Sequence, residues 1–79
     1  SPAVAGRGYA TEAVDALIEH VFSLPQIHRV SAQMDGRNDA SARLAARVGM
    51  RQEAHFRQNW WCKGEWTDTL VYAMLREDR

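Results

Sequence analysis

From Tyr9 onward the apolar residues fall at Tyr9, Ala10, Ala13, Val14, Leu17, Ile18, Val21 and Phe22. That i, i+3, i+4 recurrence is the stripe of a helix with one face in a core. Glu12 stands where the first turn favours an anion, and Pro25 lies just past the last apolar position. The pattern predicts a helix over residues 8–23. Ile27 to Met34 alternates loosely between Pro25 and Asp35-Gly36, as a short strand does. Asn38 and Asp39 are N-cap candidates for a second helix, Ser41 to Val48, rich in alanine and stopped by Gly49. Met50 to Trp61 then alternates in part, with Arg51, Glu53, His55 and Arg57 against Gln52, Ala54, Phe56 and Gln58. Lys63-Gly64-Glu65 supplies a turn, and Trp66 to Leu75 returns, giving an antiparallel hairpin. The order helix, strand, helix, strand, strand indicates an α/β layer with helices packed on a sheet.

Composition narrows this picture. The chain of 79 residues has room for one small domain, and chains of this size often need a staple. Cys62 is the only cysteine, so no disulfide forms within the chain. His20, His28, His55 and Cys62 lack metal-site spacing. Self-association is the remaining staple. Ten basic and ten acidic residues cancel, leaving no general attraction for nucleic acid. No apolar run reaches the length of a membrane span and no signal peptide opens the chain, so a cytoplasmic setting is expected.

The most informative chemistry lies where the first helix begins. In Gly6-Arg7-Gly8-Tyr9-Ala10 two glycines let the backbone approach a ligand closely, and Arg7 adds a positive charge. A turn running into a helix N-terminus offers free N–H groups to a phosphate. The alternative is that the glycines simply make a loop and start the helix.

Three stretches together resemble one family. Ala5-Gly6-Arg7-Gly8-Tyr9-Ala10 is similar to the acetyl-CoA signature of the GNAT-superfamily N-acetyltransferases. Asn38-Asp39-Ala40-Ser41-Ala42-Arg43, running to Arg47-Val48-Gly49-Met50, resembles the helix of the subgroup that acetylates N-termini of ribosomal proteins. Phe56-Arg57, Trp60, Lys63-Gly64, Asp68 and Tyr72-Ala73-Met74-Leu75 follow that subgroup's closing hairpin. The resemblance covers nearly the whole chain. It implies the C-terminal half of a GNAT acyl-CoA N-acyltransferase fold, with residues 1–79 as the acetyl-CoA-binding part, a mixed sheet, and completion through self-association. The implied activity is acetyl transfer from acetyl-CoA to a primary amine, a protein N-terminus being one possibility. The alternative is an inactive half-domain that self-associates as a homodimer through an exposed sheet edge.

Residue by residue, the resemblance implies that Gly6, Arg7, Gly8, Tyr9 and Ala10 hold the CoA pyrophosphate. Asn38 would contact the pantetheine arm. Ser41 would give a proton to the departing thiolate, and Arg43 and Arg47 would flank the nucleotide. No metal is implied. The chain departs from the family pattern in having Ala5 where Gln or Arg is usual, Arg47 for Lys, and Met50 for an aromatic. It also lacks the half that supplies acceptor-binding helices. Ser41 and Asn38 have a purely structural reading as helix-start residues. Glu53 and His55, on one strand face, form an acid–base pair less readily than a solvated surface. Of adjacent Trp60 and Trp61, which face opposite ways on a strand, one is expected in the core and the other at a pocket or interface.

Overall fold

A computed structural model describes residues 2–79, with side-chain surroundings from residue 8 onward. Helix α1 spans Pro2–Phe22 and strand β1 Arg29–Asp35, followed by helix α2, Asp39–Arg47. Strands β2, Arg51–Cys62, and β3, Glu65–Leu75, form the hairpin, and a short 3₁₀ turn, Arg76–Asp78, follows. The expected order of elements is thus observed, with boundaries moved by a few residues.

The three strands form one sheet in the order β1-β3-β2, with both neighbours antiparallel to β3. A mixed sheet was expected, and the described strands pair only antiparallel. The reason is topological. The crossover through α2 sends β1 and β2 in the same direction, but β3 inserts between them, so no parallel pair forms.

Both helices cover one face of this sheet. Ile18 and Phe22 from α1, Ala45 and Val48 beside or within α2, and Met50 and Met74 form the buried cluster. Val30, Ala32, Met34 and Tyr72 pack against it. The alternation of β3 therefore points Met74, Tyr72, Leu70 and Asp68 toward the helices, and Ala73, Val71 and Thr69 to the opposite face.

The tight connections follow local chemistry. Gly49 has φ +102°, a value open to glycine, and its N–H bonds to the Ala46 carbonyl at 3.1 Å to close α2. Lys63 and Gly64 have φ of 49° and 82°, so the hairpin turns on two residues with positive φ, whose twist matches the strands. At the opposite end of the sheet, Arg76 reaches back to the connection between α1 and β1. Its guanidinium donates to the carbonyls of Phe22, Leu24 and Ile27 and lies 5.4 Å from the centre of the Phe22 ring.

Trp60 and Trp61 do face opposite ways, opposite Thr67 and Trp66 respectively. Neither is in the core, with exposures of 64% and 57%. The seven-residue β1 ends at Asp35 opposite Thr69, so the distal hairpin extends beyond the strand that flanks it. Trp61 instead packs edge-on against Trp66, with ring centroids 5.2 Å apart.

Candidate functional site

The helix α1 runs on past the point where the sequence pattern places its start. Gly6 and Arg7 lie outside the residues whose surroundings are described. Gly8, Tyr9 and Ala10 are exposed and helical, within the predicted 8–23 span, and the helix begins already at Pro2, ahead of the expected turn. Proline is favoured in a first helical turn and alanine throughout a helix, so Pro2, Ala3 and Ala5 support the extension. A helical backbone spends its N–H groups on the preceding turn, so a phosphate cradle at Gly8 to Ala10 is not open in this conformation. A Cβ on Gly8 would meet nothing within 4 Å, so space does not require the glycine.

At the start of α2 the expected residues come together. Asn38 Oδ1 accepts the Ser41 N–H at 3.1 Å, which makes Asn38 the N-cap. Its amide nitrogen has no partner among the described residues. The hydroxyl of half-buried Ser41 has no hydrogen-bond partner among the described residues. Asn38→Ala is expected to cost about 1 kcal/mol, seen as a lower urea midpoint and faster hydrogen exchange at the Ser41 amide. Unchanged exchange there would remove the capping assignment.

Asn38 and Ser41 stand at the polar end of a cleft of about 290 Å³ between α1, β1 and α2. Val14, Met34, Leu44, Val48 and Met50 give it apolar walls. Between α1 and α2, Arg43 and Arg47 line a smaller hollow of about 90 Å³ with Thr11 of α1. The two arginines are one turn apart, so they share a face, and neither has an ion pair among the described residues. Two unpaired guanidiniums beside an apolar cleft suit a ligand with an anionic end and a long, weakly polar arm.

The hairpin carries a second cluster that the alternation misassigned. Glu53 and His55 do not share a face. β2 bulges between Gln52 and Ala54 and again between Phe56 and Trp60. Glu53 pairs with Arg29 of β1 at 2.7 Å. His55 Nε2 lies 2.7 Å from Asp68 Oδ2, and the other carboxylate oxygen accepts the Gln58 N–H at 2.8 Å. The His55 hydrogen bond, and then the Gln58 N–H, hold the Asp68 carboxyl below the usual carboxylate range. The hint in the sequence was an Asp in β3 able to face a His in β2, but the bulges that align them leave no periodic trace.

Arg37, in the β1–α2 connection, bridges Asp35 at 3.0 Å and Glu65 of the hairpin turn. These hydrogen bonds lower the Asp35 carboxyl and raise the guanidinium. Among the described residues no three His, Cys, Asp or Glu side chains converge as a metal site. No described helix is long and apolar enough to cross a membrane.

Comparison with known proteins supplies a frame for these geometries. The model of the acetyltransferase (GNAT) domain matches residues 1–51. The uncharacterized N-acetyltransferase YnaD of Bacillus subtilis (strain 168) is 35% identical over 78 residues, 99% of this chain and 46% of that protein. The [Ribosomal protein uS5]-alanine N-acetyltransferase of Escherichia coli (strain K12) is 30% identical over 73 residues, 92% of this chain and 38% of that protein. A crystal structure of a GNAT-family acetyltransferase from Bacillus anthracis superposes with a TM-score of 0.85 at 34% identity, over 98% of this chain and 46% of that one. The chain thus spans less than half the length of these relatives.

Proposed function

The chain belongs to the GNAT family of acetyltransferases, and from that premise we propose that it is the acetyl-CoA-binding part of an enzyme that acetylates primary amines. The observation that carries the reading is the pairing of the Asn38–Ser41 cleft with the adjacent, unpaired Arg43 and Arg47. A solved relative in fold, the RimL ribosomal L7/L12 α-N-protein acetyltransferase, was captured with coenzyme A (TM-score 0.83, 24% identity). A protein N-terminus is the acceptor class we favour, on the likeness to the uS5-alanine enzyme. The setting we propose is the cytoplasm.

In this reading the apolar walls of the cleft take the pantetheine arm, and the free amide nitrogen of Asn38 donates to one of its carbonyls. Arg43 and Arg47 hold phosphate oxygens. Acetyl-CoA supplies an activated acetyl group, and the neutral amine attacks its carbonyl carbon. Ser41 gives its hydroxyl proton to the departing thiolate and recovers one from the amine nitrogen. The chain's contribution is mainly position and proton handling. For backbone amides between Gly6 and Ala10 to take the pyrophosphate, the first turns of α1 must open. Two glycines make that opening cheap, since each lowers helix stability by about 1 kcal/mol relative to alanine. Self-association belongs to the same proposal: among the described strands the outer edge of β1 is unpaired, and a second copy offers it a strand.

The test is calorimetry of acetyl-CoA against the native chain and the Arg43→Ala/Arg47→Ala double variant. Losing two charge-assisted contacts should weaken binding by at least roughly tenfold, with a shallower salt dependence. Equal affinity in both proteins would remove this site. Absence of saturable binding by the native chain at millimolar ligand would remove the proposal as a whole.

A further inference from the structure

We propose that His55 is the general base that takes the proton from the acceptor ammonium, with Asp68 as its positioning residue; this rests on the acetyl-transfer reading above. The geometry begins with the imidazole. Asp68 is ionised and accepts only, so Nε2 carries the hydrogen of their 2.7 Å contact. That fixes the tautomer and leaves the Nδ1 lone pair free, and Nδ1 has no partner among the described residues. A carboxylate that orients one ring nitrogen so that the other can accept a proton is the division of labour found in hydrolytic triads. The His55 side chain is 46% exposed, so an amine can reach it from solvent.

Asp68 is itself held. Its second oxygen accepts the N–H of Gln58, a residue at φ 48° within the wide β2 bulge. Three residues, 57–59, stand there opposite Asp68 alone, because Phe56 pairs with Thr69 and Trp60 with Thr67. A bulge that re-aims a side chain and is pinned by a carboxylate costs backbone strain, and such strain is more at home in a site than in a plain hairpin.

The pair also stands on the right side of the sheet. His55 lies opposite Leu70, on the face that carries Tyr72 and Met74 and is covered by the helices. Asp68 packs directly on the connection that leads into α2. The Gly36 N–H donates to the Asp68 carbonyl at 2.9 Å, and a Cβ on Gly36 would come within 2.9 Å of the Asp68 Cβ. Asn38 is two residues further on and Ser41 five. The charged groups around the pair are Arg57 on β2, and Arg37 of the connection, which Asp35 and Glu65 already neutralise.

The step balances. The ammonium gives one proton to Nδ1, forming a neutral amine and an imidazolium. The amine lone pair makes the C–N bond and the C–S bond breaks. Ser41 protonates the sulfur and takes back the second nitrogen proton, and the imidazolium returns its proton to solvent.

The experiment follows acetyl transfer from acetyl-CoA to a short peptide with a free α-amino group, from pH 5.5 to 9. Native chain, His55→Gln and Asp68→Asn are compared, with acetyl-CoA affinity measured alongside. His55→Gln leaves the Asp68–Gln58 clamp in place, and circular dichroism checks its fold. The expected result is unchanged affinity, a kcat lower by roughly 10²-fold, loss of the acid limb of the pH profile, and partial rescue by added imidazole. Asp68→Asn should displace that limb. Transfer with an unaltered pH profile in His55→Gln overturns the assignment and leaves the acetyl-transfer reading standing. Binding without transfer by the native chain overturns His55 alone, whereas no binding overturns both.

Discussion

Truncating Met74 to alanine should lower the melting temperature by roughly 15–20 °C. This side chain sits on the central strand with 2% of its surface exposed, at the point where α1, α2 and the start of β2 converge. Its terminal carbon presses on the backbone of Gly49, where a Cβ would approach to 2.9 Å. Methionine-to-alanine changes in such sites cost about 2–5 kcal/mol through lost burial and the remaining cavity. A cost of about 3 kcal/mol at about 6 °C per kcal/mol gives the stated shift. For 79 residues the total stability is about 4–12 kcal/mol, so the loss is a large share of it. Trp66→Ala is the comparison: a larger side chain, 56% exposed, whose edge contact with Trp61 is worth roughly 1 kcal/mol. If thermal denaturation ranks Trp66→Ala as the more damaging, the placement of the core on the helix side of the sheet is wrong.

Arg76→Ala should be nearly as harmful, by about 3 kcal/mol. The guanidinium is the partner of three carbonyls in the α1–β1 connection, at Phe22, Leu24 and Ile27. The first of these belongs to the last residue of α1, where helical carbonyls have no intrahelical partner. Hydrogen bonds to a charged group contribute about 1.5–3 kcal/mol each, and water will take over part of that role at the exposed Leu24. The ring of Phe22 adds a cation–π contact and would lose part of its cover. Arg76→Lys should recover less than half, since an ammonium cannot span three carbonyls with a planar fork. Urea titration measures the loss, and hydrogen exchange at the Ile27 amide reports whether the connection loosens first. A midpoint within error of the native protein for Arg76→Ala would mean that solvent satisfies these carbonyls equally well.

Much of the architecture was legible because it is local. The stripe ending at Phe22, the stop at Gly49 and the two-residue turn at Lys63-Gly64 each depend on neighbours within one helical turn or one hairpin. Asn38 as N-cap follows from the same short-range chemistry. The candidate ligand residues of α2, Ser41, Arg43 and Arg47, came from the resemblance to the family, and spacing adds only that the two arginines share a face.

What escaped the sequence depends on contacts between distant segments. An uninterrupted hairpin continuing from Cys62 opposite Glu65 would place His55 against Tyr72, whereas the bulges place it against Leu70, beside Asp68. The other bulge, between Gln52 and Ala54, parts Glu53 from His55, and each finds a partner on another strand. Arg76 finds its carbonyls 49 to 54 residues away. The exposure of both Trp60 and Trp61 likewise turns on what stands beside them, not on their own propensities. Local pattern thus determined the elements, their order and the chemistry of the α2 start. Tertiary structure decided the antiparallel sheet order, the bulged register and the His55–Asp68 pair, because pairing energies between strands select register only once the strands meet.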